Sequence, residues 1–264
     1  MAKVLICVPM HQNVITSSTA VSISQGCSTK HIVNFQCLGL SLLAKCFNML
    51  WISAVKKGYD YFILHHADLG ATGTFQPFDG TWVDLLIHRL NEYKLAALSV
   101  ASPIKSPQGY LSSGIETVAG DPFSLRRTTT RELKDLPIQL ITRDDLCKLY
   151  GLDPKCCGAL LINTGLLIMD IRCYGGIWRE KKWPGFNIID SIEWNTRGEP
   201  ESFTIPEDWN MSAWCHKNDV PFAFTKEIQL SHCGGSVFTN ADDWGAEEHD
   251  MKRQQMSIED YRRT

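Results

Sequence analysis

The sequence predicts an α/β protein with a mostly parallel central sheet flanked by helices, and three observations predict it. Strand-like and helix-like segments alternate through the first half of the chain, the pattern of right-handed βαβ units. Hydrophobic residues make up 44% of 264 positions, enough for one sizeable core. The apolar run in "YFILHHADLGATG" (61–73) stops abruptly at two imidazoles and a carboxylate. In open sheets of this class ligands collect at the carboxyl ends of strands, so such an ending marks a candidate site.

Element by element, "KVLICVP" reads as the first strand, because its apolar stretch ends at Pro9 and is too short for a secretory leader. "VITSSTAVSISQG" reads as a helix ending at Gly26, "TKHIVNFQ" as the second strand, and "SLLAKCFNMLWISAVKKG" as an amphipathic helix ending at Gly58. "YDYFILHHAD" is the third strand, "GTWVDLLIHRLNEYK" the next helix and "LAALSVASPIK" the next strand. From "SPQGYLSSGIETVAGDP" to about Pro137 the pattern dissolves into Gly, Ser and Pro, and a long irregular excursion over the active face is expected. "CCGALLINTGLLIMDI" is apolar with small residues inside it. The Trp-, Pro- and Gly-rich stretch from Ile177 to Trp209 is expected to be a mobile loop followed by a helix start at Glu207. "EIQLSHCGG" closes the globular part with a short strand. One domain is expected over 1–240, with a polar tail over 241–264 as a surface helix or frayed end.

Lys and Arg number 26 against 29 Asp and Glu, so no overall basic excess drives nonspecific nucleic-acid binding. The local basic cluster "LRRTTTRELK" (125–134) reads as a solvated loop and helix start. No apolar run reaches the roughly 18 residues of a membrane helix, so no membrane partner is expected and the cytoplasm is the expected location. The 10 cysteines are scattered without a C-x-x-C pair, and reduced structural thiols are expected rather than disulfides or a zinc site.

The chemistry-bearing residues lie at the ends of these segments. His66 and Asp68, two residues apart at a strand end, can face the same side and bind a divalent metal. Alone, the motif reads equally well as a surface histidine pair beside a helix-capping Asp68. Glu207 and Asp208 open a helix after Pro206 with Trp209 and Trp214 behind them; they suit the helix dipole, or a general base against aromatic walls. His232, at the end of the late strand, is a third possible metal ligand. Pro9, His11 and Gln12 follow the first strand on the same expected edge.

In order and spacing these motifs resemble the GT-A-fold (Rossmann-like) glycosyltransferases, close in pattern to inverting family-2 enzymes of the small phage-encoded or bacterial type, over residues 1 to about 240. Where that family carries D-x-D, which holds Mn²⁺ or Mg²⁺ on the diphosphate of a nucleotide sugar, this chain has His66-Ala67-Asp68, a departure at the first position. "SLLAKCFNML" resembles the family's "ARN" helix, with Asn48 as its asparagine and Lys45 near its arginine. "ASPIKSPQG", with Lys105, resembles the strand and loop beside the sugar. "PEDWNMSAW" resembles the E-D motif, implying Asp208 as catalytic base beside Glu207, and "HCGG" resembles the late histidine that completes the metal site. The resemblance thus implies a metal-dependent, inverting transfer from a nucleotide-sugar donor, a UDP-sugar, to an acceptor hydroxyl. Asp68, His232 and His66 would hold Mn²⁺ or Mg²⁺, and Pro9, His11, Gln12, Lys45, Asn48, His66, Asp68 and Lys105 would bind the donor. The segment around Trp183, Pro184 and Gly185 is expected to close over the sugar. One acceptor consistent with a phage-type enzyme acting in the host cytoplasm is a hydroxymethylated base of DNA. Competing readings are a noncatalytic sugar-nucleotide or glycan binding module of the same fold, and a metallohydrolase, which wants more His and Asp ligands than the chain offers. A sugar nucleotidyltransferase would want a Gly-rich phosphate loop after strand one, and "VPMHQNVITSS" has no glycine.

Overall fold

The computed structural model describes residues 1–10, 13–105, 108–120, 124–194, 197–234 and 237–241. The chain runs β1 (Lys3–Met10), α1 (Ser17–Cys27), β2 (Ile32–Gly39), α2 (Leu43–Lys56), β3 (Tyr61–His65), β4 (Leu69–Thr74), α3 (Trp82–Glu92), β5 (Ala97–Val100), β6 (Tyr110–Glu116) and β7 (Leu125–Thr129). After a 3-10 turn at Glu132–Asp135 come α4 (Arg143–Tyr150), β8 (Leu160–Leu161), β9 (Leu166–Asp170), α5 (Ile171–Glu180), β10 (Ile189–Trp194), β11 (Pro200–Ile205), α6 (Glu207–Lys217), β12 (Phe222–Thr225), β13 (Ile228–Cys233) and β14 (Val237–Thr239).

Six strands form the central sheet in the order β12-β5-β9-β3-β1-β2. β1 is parallel to β2 and β3, and β12 to β5, while β9 runs antiparallel to both β3 and β5. The result is a mixed α/β arrangement with a mostly parallel sheet. Strand β3 shows why its sequence is continuously apolar: all five of its residues are buried. Phe62 and Leu64 pack into the layer holding Phe47 and Leu50 of α2, whereas Tyr61 and Ile63 face Val83 and Leu86 of α3. The helices are set by local chemistry: Thr16 caps α1 through Thr19 N, and Thr81 with Asp84 forms a reciprocal capping box on α3. Gly58 adopts φ 67° just after α2, where a side chain would be strained. Among the described residues no helix is long and apolar enough to cross a membrane.

Three expectations are corrected. The stretch from 106 to 137 is not an irregular excursion, because its described residues supply β6 and β7, which join β8 in a small antiparallel sheet ordered β7-β6-β8. The basic cluster inside it is not a solvated loop either: Thr128, Thr129 and Thr130 are fully buried, and the Arg126 guanidinium lies 3.7 Å over the Tyr150 ring while bonding Glu132 at 3.0 Å. The stretch from 177 to 209 is likewise built: it finishes α5, forms the β10–β11 hairpin and begins α6 at Glu207. Its Trp183 is packed, with ring centroids 5.1 Å from those of Trp51, Trp178 and Phe186. That packing holds the segment expected to close over a sugar against α2 and α5. The expected tail lies almost entirely outside the described residues.

The late strand does not join the central sheet. β13 pairs antiparallel with β4 and β14, forming a three-stranded sheet beside the carboxyl edge. Its departure from β12 is fixed at Glu227, whose two carboxylate oxygens each accept a 2.7 Å bond from the Arg89 guanidinium of α3. The two side chains are 11% and 4% exposed, so removing one partner leaves a buried charge uncompensated. Arg89→Met is expected to lower unfolding stability by about 3–5 kcal/mol, measured by urea denaturation, and a loss below about 1 kcal/mol would show that the pair is not needed to hold β13 in place.

Candidate functional site

The carboxyl ends of β1, β3, β5 and β12 and the amino end of β9 share one edge of the sheet, because β9 is reversed. β3 stops after His65, whose last ladder partner is Leu166. His66 N donates to Gly165 O at 2.8 Å, and Leu69 N closes a turn onto His66 O at 3.2 Å. The two consecutive histidines continue the strand's alternation and end in opposite layers. His65 is fully buried, 5.6 Å from Trp82 between ring centroids. Its Nδ1 donates to His66 O at 3.0 Å and its Nε2 accepts from the Ser22 hydroxyl at 2.8 Å, a tautomer assigned from these partners. Burial lowers its pKa to about 4, so it is a neutral structural residue. His66 points to the other side, 5.6 Å from Phe47, with a buried Nε2 that has no hydrogen-bond partner. Burial, reinforced by the positive charge of His232 and Lys105 and opposed by Asp68, lowers it to about 4 as well.

Asp68 gathers the site. Its Oδ2 takes the ammonium of Lys105 and lies 3.4 Å from His232 Nε2. Burial tends to raise its pKa, but the hydrogen bonds from His232 and Lys105 outweigh burial and hold the carboxyl well below the usual range. His232 is brought there by β13, where it pairs with Leu69, and Cys233 N binds Asp68 O at 2.8 Å. Its Nδ1 lies 2.7 Å from Pro103 O, which can only accept, so Nδ1 carries a proton. The stem of Lys105 crosses Gly234, where an added Cβ would come 3.0 Å from Lys105 Cδ.

A second pair of carboxyls stands at the start of α6. Glu207 is 7% exposed and accepts from the Thr164 hydroxyl at 3.1 Å. Ser212 accepts from Ile162 N at 3.1 Å, so the first turns of α6 are anchored to the 162–164 segment that leads into β9. Burial raises the Glu207 pKa against the Thr164 bond. Asp208 is pushed up to about 7, first by burial and then by the charge of Glu207, with Arg127 pulling the other way. Asp208 is partly exposed at the start of α6. The Arg127 guanidinium lies 4.6 Å over the ring of Trp209, the next residue.

The structure therefore brings His66, Asp68, Lys105 and His232 together, with Glu207 and Asp208 on the same edge. Other expected residues fare differently. Pro9 is buried inside β1 opposite Leu38, and His11 and Gln12 lie outside the described residues. Lys45 is exposed on α2. Asn48 donates from Nδ2 to Phe186 O at 2.7 Å and accepts at Oδ1 from Phe186 N at 2.8 Å, which ties α2 to the segment after α5. Missed by the sequence reading were Thr164, Arg127 and two buried asparagines. Asn163 bonds Val100 O at 2.7 Å and accepts from Gly165 N at 2.9 Å, and Asn240 bonds Ala101 O and Ile228 O, each at 2.9 Å. The Asn-Thr-Gly turn in "LLINTGLL" was the available signal for the first of these.

A divalent ion does not fit this arrangement. His66 Nε2, Asp68 and His232 are the donors it would use, but the Lys105 ammonium already occupies Asp68 Oδ2 and would repel a dication at contact distance. Among the described residues no three His, Cys, Asp or Glu side chains are placed to hold a metal.

No protein-family model matches the sequence, and no curated protein matches it. Among solved structures, A197 from STIV aligns over 93% of this chain and 97% of its own, at 11% identity and a TM-score of 0.46. UDP-glucose phosphorylase from Trypanosoma brucei aligns over 69% of this chain and 37% of its own, at 11% identity and a TM-score of 0.32. A point mutant of UDP-glucose pyrophosphorylase from Leishmania major in complex with UDP-Glc aligns over 83% and 51%, at 11% and 0.34. The chain thus spans about half or less of these two enzymes, and likenesses this weak carry no functional argument.

The raised carboxyl of Asp208 has a consequence for stability. With a folded pKa of about 7 against an ordinary 3.8, the folded state binds a proton that the unfolded state lacks between those values. Its stabilising contribution is complete below about pH 4 and is lost as the pH rises through about 7. Asp208→Asn removes this dependence, so the variant is expected to gain on the wild type by on the order of 2 kcal/mol between about pH 4.5 and 8, allowing for part exposure. Urea denaturation at the two pH values reads the difference, and parallel losses in both proteins would mean that the carboxyl is not held neutral.

Proposed function

We propose that the chain is a GT-A-type glycosyltransferase that moves a sugar from a nucleoside-diphosphate donor, a UDP-sugar, to an acceptor hydroxyl with inversion. The observation that carries this reading is the opposite tuning of two carboxyl groups on one sheet edge. Asp68 is held ionised by cations, and Asp208 is raised to about 7. Pairs of acids pushed apart in this way divide the roles of charge organiser and proton acceptor between them.

In the proposed step the acceptor oxygen forms its bond to the anomeric carbon as its proton passes to Asp208. The bond from that carbon to the donor diphosphate breaks, and its electron pair leaves with the diphosphate. A base with a pKa near the working pH combines a useful fraction of the basic form with a useful driving force. Glu207, fixed by Thr164, sets the electrostatic level of Asp208, and Arg127 limits it from the other side. The Lys105 ammonium on Asp68 stands beyond the end of β3, where the leaving diphosphate would develop charge. As to the acceptor, Arg126 and Arg127 of the basic segment lie against Tyr150, Glu132 and Trp209, so they lend no support to a hydroxymethylated DNA base.

The test is release of nucleoside diphosphate from UDP-, GDP- and TDP-sugars by the purified chain, with and without Mn²⁺. Asp208→Asn is expected to lower kcat by about 10²–10⁴-fold with little change in the donor KM. Wild-type kcat is expected to rise with pH to a plateau above about 7, since only the deprotonated carboxyl accepts the proton. Glu207→Gln should move that midpoint downward by removing the neighbouring charge. Unchanged turnover in Asp208→Asn would remove the base assignment, and absence of turnover with every donor would favour a binding module of the same fold.

A further inference from the structure

The cluster at the end of β3 raises a question that the transfer step leaves open: what meets the charge of the diphosphate if a divalent ion does not fit. We infer that Lys105, anchored by Asp68 and flanked by His232, is the cation that receives the donor diphosphate in place of a metal. The inference rests on the glycosyl-transfer reading of the same site and names how that site holds its substrate.

Three features of the geometry carry it. First, Asp68 Oδ2 is shared by the Lys105 ammonium and His232 Nε2, which stands 3.4 Å away. His232 Nδ1 lies 2.7 Å from Pro103 O, which orients the ring with Nε2 toward Asp68. The Lys105 ammonium is thus the cation that this edge offers to a diphosphate. Second, the side chains are accessible where a ligand would arrive. Lys105 and Asp68 are 39% and 34% exposed and His232 is 18% exposed, so the pair lies at the surface of the edge and can exchange partners. Third, the position of Lys105 is built. Its stem passes over Gly234, where a side chain would crowd it, and Cys233 N is fastened to Asp68 O at 2.8 Å.

The amino end of α1 adds to the same field. Thr16 N binds Ala67 O at 2.8 Å and the Thr19 hydroxyl binds Ala67 O at 2.9 Å, so the first turn of this helix abuts the turn that carries Asp68. That first turn holds no acidic residue, so no side-chain charge offsets the positive end of the helix dipole. In this arrangement Asp68 acts as a positioning residue: it keeps Lys105 and His232 on the edge and yields part of its hold when phosphate oxygens compete for them. A lysine ammonium is a mobile point charge with three donors, suited to following the charge as it moves onto the leaving diphosphate.

The experiment is calorimetric titration of UDP, GDP and TDP in turn into wild type, Lys105→Met and Lys105→Arg, each in excess EDTA and again with Mn²⁺. Turnover of the matching sugar donors is followed under the same conditions, and thermal unfolding checks that each variant is folded. The expected result is binding of one nucleotide in EDTA, unchanged by Mn²⁺, weakened by about tenfold to a hundredfold in Lys105→Met and largely restored in Lys105→Arg. Binding that requires Mn²⁺, equal binding by Lys105→Met, or no binding under any condition overturns the inference. Sugar transfer that occurs only with Mn²⁺ would overturn it while leaving the transferase reading intact. Nucleotide binding through Lys105 without consumption of any donor would uphold it as a diphosphate site and remove glycosyl transfer.

Discussion

Strand β9 runs against both of its neighbours, and its direction decides which loops can meet at the site. Because β9 is antiparallel to β3 and β5, its amino end lies beside their carboxyl ends, and the 162–165 segment arrives where His66 and Asp68 begin. That segment is fastened on both sides. Asn163 bonds Val100 O at 2.7 Å at the end of β5, its own carbonyl accepts from Ser99 Oγ at 2.8 Å, and Gly165 O receives His66 N at 2.8 Å. Thr164 is thereby presented to Glu207. Were β9 parallel to the others, its amino end would lie at the far edge and the start of α6 would have no tie to this one. The two carboxylate centres are on one edge because a single strand is reversed.

Burial and partners together sort the charges on this edge. Desolvation pushes the carboxyls of Asp68, Glu207 and Asp208 in one direction, upward. What separates them is the sign of the neighbour: Asp68 faces an ammonium and an imidazole, while Asp208 faces another carboxyl with one guanidinium at longer range. The sheet supplies the backbone positions, and the choice of a lysine at 105 against a glutamate at 207 sets the opposite states. This division also explains why a carboxylate at the end of β3 does not by itself make a metal site. The position is the one a metal-binding residue would hold, and the adjacent ammonium changes its chemistry.

Much of this was legible in the sequence, and the parts that were not share a cause. Apart from β4, the strands and helices up to β5 follow from alternation, since each is a continuous apolar run or a helical stripe bounded by Gly, Thr or Asp. Strand β4 escaped because "LGATGT" carries glycines that read as a turn, although its ladder with β13 places His232. β6 and β7 escaped because "YLSSGIE" and "LRRTT" are not apolar; they are half-polar strands whose threonines are buried by the small sheet. Among the candidate site residues, Asp68, Asp208 and His232 were chosen for their positions at element ends, and the structure places them at such ends. The partners that set their charge were harder: Lys105 lies 37 residues from Asp68, and nothing local announces that contact. The role of Asn48 in tying α2 to Phe186 was hidden for the same reason, since its two bonds span 138 residues.

The pair of histidines at the end of β3 ties the core to the site. Along the strand, Tyr61 and Ile63 face one layer and Phe62 and Leu64 the other, and the two imidazoles carry that alternation one step beyond the ladder. His65 therefore falls on the α1 and α3 side, where Ser22 of α1 takes its Nε2 at 2.8 Å and in turn accepts from Ala71 N of β4 at 3.1 Å. His66 falls on the α2 side against Phe47. The turn bearing Asp68 is thus held from behind by a neutral, fully desolvated imidazole and from above by the Thr19 hydroxyl, which reaches Leu69 O at 2.6 Å. A half-exposed carboxylate that must keep an ammonium and an imidazole in register cannot sit on a loose loop, because sub-ångström drift would weaken each charged hydrogen bond. Core packing below and charge above meet in the same four residues, His65 to Asp68, and the precision of the second is inherited from the first.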